Sequence, residues 1–102
     1  MLMAKQYNQG DVVSFKLTSG EELIARVTED RTTEYVLAKP MALLNTANGG
    51  LGMMPTPIAA NPQEPQVLNK HAVALHGKCQ PDLASQYMEK TTGLVTASKG
   101  LI

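Results

Sequence analysis

The chain contains no tryptophan, one cysteine and only four aromatic residues among its 102 positions. Because Cys79 has no second cysteine to pair with, an internal disulfide is excluded. No apolar run approaches the roughly 20 residues that a membrane-spanning helix needs, which excludes membrane insertion. The first ten residues also lack the charged-then-apolar order of a signal peptide. We therefore expect a cytoplasmic protein without a membrane partner.

The chain also lacks an excess of either charge. Nine basic residues balance nine acidic ones, and the basic residues are scattered along the sequence. An isolated nucleic-acid-binding domain usually carries a basic patch, and none is visible here. With 43% hydrophobic and 18% charged residues, the composition is that of an ordinary globular protein. A single domain of this size buries only about 60–65% of its unfolded surface, so contact with a partner subunit would help to stabilise it.

Apolar alternation predicts β-strands over most of the chain. Val13, Phe15 and Leu17 alternate with polar residues, and Gly20 in "TSGE" (18–21) suits a tight turn into a second strand. Further strands are predicted within residues 34–44, 51–60 and 67–79. Pro40 marks an edge or a bulge in the first of these, and two more prolines confine the segment 51–60 to a sheet edge.

A different pattern begins at Pro81 and predicts a short helix over about residues 81–91. Proline at the first helical position, Asp82 in the first turn and Gly93 as a stop are typical helix-boundary signals. Leu83 and Tyr87 lie four residues apart and form an apolar stripe. Because so short a helix is marginal alone, we expect this stripe to pack against another apolar surface. Residues 94–102 form a tail.

The opening stretch contains a spaced pattern of apolar and glycine residues that ends in Asp30 and the strand "EYVL" (34–37). The pattern reads Val13-x-Phe15-x-Leu17-x-x-Gly20-x-x-Leu23-x-Ala25-x-Val27. It resembles the first motif of the Sm-like (LSm) family. The resemblance implies a mostly β fold in a single domain, residues 1–102. The implied architecture is a small, strongly bent five-stranded Sm-like (SH3-like) barrel over about residues 11–79, followed by the short C-terminal α-helix. A generic SH3-like or OB-type barrel is the alternative.

The second half of the chain resembles Sm-like proteins of marine tailed phages, which end in a helix introduced by a proline. "LHG" (75–77) stands where the family's second motif has Ile-Arg-Gly, with His76 in place of arginine. The resemblance implies a homo-oligomeric ring of about five to seven subunits, in which an edge strand of each copy pairs with the next. It also implies a location in the cytoplasm of a phage-infected bacterial host.

Sm-like rings that bind single-stranded RNA do so with loops that face the pore. Carrying those positions over gives a set of candidate RNA-binding residues: Asp30, Arg31, Thr33, Glu34, His76 and Lys78. Two of them depart from the family. Thr33 has no ring to stack on a base, and Glu34 can only accept hydrogen bonds. The alternative is that Asp30 ties down the turn and Glu34 is simply solvated.

Other side chains give no support for catalysis. The His-x-x-Cys pair formed by His76 and Cys79 lacks a second cluster that would complete a zinc site, and the serines and aspartates show no triad context. We therefore predict no enzyme activity, no metal and no cofactor. Two hypotheses remain: a non-enzymatic ring that binds single-stranded RNA at its pore, and an assembly module of phage origin that binds other proteins without RNA.

Overall fold

A computed structural model describes residues 6–57 and 59–92 of the chain. They form six strands, one short 3-10 helix and one α-helix. The strands are β1 (Val12–Leu17), β2 (Glu22–Asp30), β3 (Glu34–Asn45), β4 (Leu51–Pro55), β5 (Gln66–Asn69) and β6 (Val73–Lys78); the 3-10 helix covers Lys70–Ala72 and α1 covers Pro81–Thr92. The predicted mostly β fold with one short C-terminal helix is confirmed. The predicted tail, 94–102, lies outside the described residues.

The β1–β2 hairpin forms where the apolar alternation predicts it. Gly20 turns the chain with φ +100°, a conformation that disfavours side chains, and its N–H donates to the Leu17 carbonyl at 2.9 Å. In the antiparallel register Val13 lies opposite Ala25 and Phe15 opposite Leu23. Alternate residues of both strands therefore point to the same face of the sheet.

Strand β3 is kinked at its middle. Along one edge it pairs with β2, and along the other its first half pairs with β5 and its second half with β4. Between the pairs Ile24–Met41 and Arg26–Ala38, two β3 residues, Lys39 and Pro40, lie opposite a single β2 residue. This is a β-bulge, and Lys39 adopts φ +48° there. Pro40 thus occupies the bulge that a proline in this position favours.

The sheet order is β4-β3-β2-β1-β6, with β5 also paired to β3. The prediction of five strands is wrong, because the segment 67–79 is not one continuous strand. The Asn69 side chain accepts a hydrogen bond from the His71 N–H at 2.8 Å, and this cap starts a turn of 3-10 helix between β5 and β6. Between the described strands no pairing closes the sheet on itself.

The face of the sheet that the alternation predicts to be apolar forms the main core. Its buried members are Val13, Phe15, Leu23, Ala25, Val27, Tyr35 and Leu37. Leucine, valine and phenylalanine side chains of this kind each contribute about 1.5–3 kcal/mol when fully buried. The opposite face is covered by α1.

Helix α1 docks through the predicted apolar stripe. Tyr87 is fully buried against Ile24 and Met41, with Leu83 beside them. Its hydroxyl accepts from the Arg26 N–H at 3.1 Å and lies 2.8 Å from the carbonyl oxygens of Ala38 and Lys39. The bulge in β3 interrupts the ladder at these backbone groups, so one phenol satisfies polar groups that the sheet leaves without strand partners. Burial raises the pKa of Tyr87, although the Arg26 N–H and charge partly offset it.

Candidate functional site

The β2–β3 turn carries four of the six candidate RNA-binding residues. Arg31 lies between two carboxylates, with 2.8 Å from its guanidinium to Glu29 and 2.7 Å to Glu34. The hydrogen bond to Glu29, then that to Glu34, raises the pKa of Arg31. The Arg31 side chain remains 49% exposed, so it faces solvent with its charge compensated by its two neighbours.

Asp30 is the buried member of this turn, with only 1% of its side chain exposed. One carboxylate oxygen accepts from the backbone N–H groups of Gln6 (2.8 Å) and Tyr7 (3.1 Å). The other receives the Lys70 ammonium at 2.6 Å. Burial alone would raise the pKa of Asp30, but the hydrogen bonds from Lys70, Gln6 and Tyr7 together with the Lys70 charge outweigh it, and the pKa is lowered. Asp30 thereby joins the N-terminal segment, the turn and the 3-10 helix.

Thr33 and Glu34 lie at the outer part of the turn. Thr33 is exposed, and its carbonyl accepts from the Lys70 N–H at 2.9 Å. Glu34 is half-buried, paired with Arg31 and opposite Asn69 of β5. The Thr33 side chain is therefore available to a ligand, whereas the Glu34 carboxylate already has a cation.

The two remaining candidates lie on β6. Nδ1 of His76 is 2.6 Å from the Tyr7 hydroxyl, and the two rings meet edge to face with centroids 5.6 Å apart. Lys78 is 65% exposed, and its ammonium lies 3.7 Å from Asp11. His76 is thus linked to Asp30 through Tyr7, whereas Lys78 lies two residues farther along the strand beside a different carboxylate.

We call Tyr7, Asp30, Tyr35, Lys70 and His76 the anchor cluster. The Lys70 ammonium lies 4.6 Å from the centre of the Tyr35 ring, in cation–π range, and the Tyr35 hydroxyl donates to Gln6 at 2.8 Å. Burial, with the nearby Asp30 carboxylate and Tyr7, raises the pKa of Tyr35 to about 12. Among the described side chains, no buried nitrogen or oxygen lacks a hydrogen-bond partner. The cluster is therefore a fully satisfied polar network beside the main core.

Sequence reasoning missed Tyr7, Tyr35 and Lys70 as members of this site. Lys70 is 40 positions from Asp30 along the chain, and Tyr7 lies in a polar lead-in without strand periodicity. The scarcity of aromatics was a usable signal. Of the four aromatic residues, Tyr35 contacts both Tyr7 and Phe15. The rings of Tyr7 and Tyr35 also contact the His76 ring.

Residues 6–57 and 59–92 offer little support for metal binding or for a reactive thiol. No group of three or more histidine, cysteine, aspartate or glutamate side chains lies close enough there to hold a metal ion. Burial and the nearby Glu22 carboxylate raise the pKa of the Cys79 thiol, which lowers its thiolate fraction. His71 is exposed in the 3-10 helix.

Comparison with known proteins does not extend these findings. No protein-family model matches the chain, and no curated protein matches it either. Within the described part of the chain, no helix has the length and apolar character needed to cross a membrane. The proposed function therefore depends on the geometry of the sheet edges and of the β2–β3 turn.

Proposed function

We propose that this chain is a non-enzymatic, Sm-like protein that assembles into a homo-oligomeric ring. The observation that carries the proposal is the pair of open edges of the sheet. Among the described strands, β6 pairs only with β1, and β4 and β5 pair only with β3. Open edges present unpaired backbone N–H and C=O groups. Pairing β6 of one copy with the β4–β5 edge of the next is a head-to-tail contact, which closes into a ring when the rotation fits.

The side chains along these edges support the same proposal. Val67 on β5 is 58% exposed and Leu75 on β6 is 69% exposed. The chain also holds no charged residue from 40 to 63, a range that includes all of β4. Edge strands that remain solitary are usually protected by charges. An apolar, charge-free edge is better suited to a second copy of this chain than to water.

The proposed subunit is a small, strongly bent Sm-like barrel, in which the bend at Lys39 and Pro40 curls β3. The two halves of β3 pair with different strands, and the 3-10 helix then leads directly from β5 to β6. This path brings β6 to pair with β1, at the end of the strand order opposite β4. Curvature of this kind and a short helical connection support a barrel over a flat sheet.

Ring assembly is tested by the mass of the protein in solution, measured by light scattering after size exclusion. We expect Leu75→Lys to reduce the assembled fraction, because an ammonium would be desolvated beside the neighbour's edge. The matched control is Leu44→Lys, an equally apolar-to-charged change at an exposed position of β3, which pairs with β4 rather than ending the sheet. Equal loss of assembly in both variants, or in neither, would argue against the edge contact.

We further propose that the ring binds single-stranded RNA at the β2–β3 turn and at His76 of the anchor cluster. A ring repeats each exposed group once per subunit, so Arg31 and His76 would form a circle of donors. The test is a titration with labelled oligouridine over a salt series. Affinity that falls steeply with salt indicates several neutralised phosphates. Arg31→Glu is expected to weaken binding, with Lys16→Glu, at an exposed position of β1, as its control.

A second candidate function is an assembly module of phage origin that binds other proteins and no RNA. It is favoured by the charge compensation at the turn: Arg31 lies between Glu29 and Glu34, and Lys78 lies near Asp11. Binding of RNA by these cations would require them to exchange carboxylate partners for phosphates. A ring that shows no oligouridine binding at micromolar concentration and low salt would select this second function.

A further inference from the structure

A cavity of about 420 Å³ lies away from the anchor cluster, between the kink of β3, the segment that joins β4 to β5, and the last turn of α1. Its volume falls within the range of about 300–1,000 Å³ typical of small-molecule sites. None of the candidate RNA-binding residues lines it. The cavity therefore belongs to a different part of the molecule from the proposed pore.

The walls of this cavity are mainly apolar and stiff. Met41 forms part of the lining together with four prolines, at positions 40, 55, 57 and 62. Proline has a fixed φ and no N–H, so these four residues offer flat hydrocarbon surface and no backbone donor. Such a surface suits a planar or branched apolar group and costs little ordering on binding.

The charged groups of the cavity are three, and they do not balance. Two ammonium groups, Lys39 and Lys90, and one carboxylate, Glu64, line it, which leaves one positive charge in excess. The Lys39 ammonium donates to the Thr91 carbonyl at 2.9 Å, and this contact fixes it at the end of α1. An ammonium has three N–H donors, so two of them remain for a ligand.

The backbone conformation of Lys39 also indicates a ligand site. Its φ of +48° lies in the left-handed region, which residues other than glycine rarely adopt. Residues held in this conformation are concentrated at functional sites such as ligand clamps. Here the bulge directs a lysine into the bend, where its side chain lines the cavity and reaches the end of α1. A structural bulge alone would be served equally by glycine or asparagine.

We propose that this cavity binds a small apolar molecule that carries one negative charge, such as an aryl carboxylate. The apolar body lies against the prolines and Met41, and the carboxylate lies at Lys39 and Lys90. Glu64, on the same lining, disfavours ligands that carry several negative charges. The lining shares Pro55 of β4 and Gln66 of β5 with the edge proposed for ring assembly, and it includes none of the candidate RNA-binding residues.

Indole-3-acetate is a suitable probe, because the chain has no tryptophan and the indole fluorescence therefore reports only the ligand. Its anisotropy is followed as the full-length protein is titrated in. The neutral isostere indole-3-acetamide serves as the matched ligand. We expect saturable binding of the acetate and about tenfold weaker binding of the acetamide, since the amide lacks the charge-assisted hydrogen bond.

Variants then locate the binding. Lys39→Asn removes the ammonium with a residue that tolerates the left-handed backbone, and Ala60→Phe fills the cavity from its lining. Both are expected to reduce the affinity for indole-3-acetate about tenfold or more, whereas Lys16→Gln, at an exposed position of β1, leaves it unchanged. If Lys39→Asn proves unfolded by circular dichroism, Lys90→Gln replaces it. Equal affinity for indole-3-acetate and indole-3-acetamide, unchanged affinity in Ala60→Phe, or no saturation up to about 1 mM protein would overturn the proposal.

Discussion

Replacing Asp30 with asparagine tests whether the anchor cluster holds the turn and the N-terminal segment to the sheet. The carboxylate accepts three hydrogen bonds, from Lys70 Nζ, Gln6 N and Tyr7 N, and its side chain is 1% exposed. An asparagine amide has one acceptor oxygen and one NH₂ group. Whichever way the amide is turned, its NH₂ faces a donor, and the Lys70 charge loses its counter-ion.

The expected cost follows from the burial of the pair. Removing one partner of a buried ion pair costs about 3–5 kcal/mol, and the lower end applies here, because Lys70 is 19% exposed and can regain some water. We therefore expect Asp30→Asn to lower the free energy of unfolding by about 3 kcal/mol. For a domain of this length that corresponds to a fall in Tm of roughly 12–20 °C.

The assay is urea unfolding followed by circular dichroism, with Asp11→Asn as the control. Asp11 is the carboxylate of an ion pair too, but its partner Lys78 is 3.7 Å away and 65% exposed, so its loss should cost less than about 1 kcal/mol. A double-mutant cycle of Asp30→Asn with Lys70→Met isolates the coupling between the two charges. A loss below about 1 kcal/mol for Asp30→Asn would refute the reasoning, because it would mean that the buried carboxylate is not needed by its three donors.

Two further predictions concern pH and the docking of α1. The pKa of Asp30 is lower in the folded chain than in the unfolded one, so its contribution to stability is fully present above about pH 4 and is lost as the pH falls through the folded-state value. Unfolding free energies measured between about pH 5 and pH 2 should therefore fall less steeply in Asp30→Asn than in the parent, and equal slopes would contradict this. Tyr87→Phe keeps the ring but leaves the Arg26 N–H without its acceptor, which should cost about 1–3 kcal/mol in urea unfolding with an unchanged m-value. No measurable loss of unfolding free energy would show that the backbone groups at the bulge do not need the phenol as a hydrogen-bond partner.

The local elements of the fold were largely predictable because their signals are short-range. Gly20 with alternating apolar residues defines the first hairpin, and Pro81, Asp82 and the Leu83–Tyr87 spacing define the helix. The apolar face of β2 and the docking face of the helix follow from the same periodicities. Each of these inferences needs only neighbours within a few positions.

The remaining features depend on contacts between distant segments. The division of the segment 67–79 into two strands depends on the Asn69 cap and on pairing with Glu34 and Thr33 across the sheet. Likewise, Asp30 was predicted at the turn, but its partner Lys70 lies 40 residues away and shows no local pattern. The hydroxyl of Tyr87 offers a similar case, since its role depends on a bulge that periodicity does not reveal.

The mass of the assembled protein tests the central claim most directly. We expect light scattering at several protein concentrations to give a mass about five to seven times the 11.0 kDa mass of one chain. We expect Leu75→Lys to reduce the assembled fraction. A folded protein that stays at 11.0 kDa over the same concentrations would contradict ring formation, and with it the proposed pore.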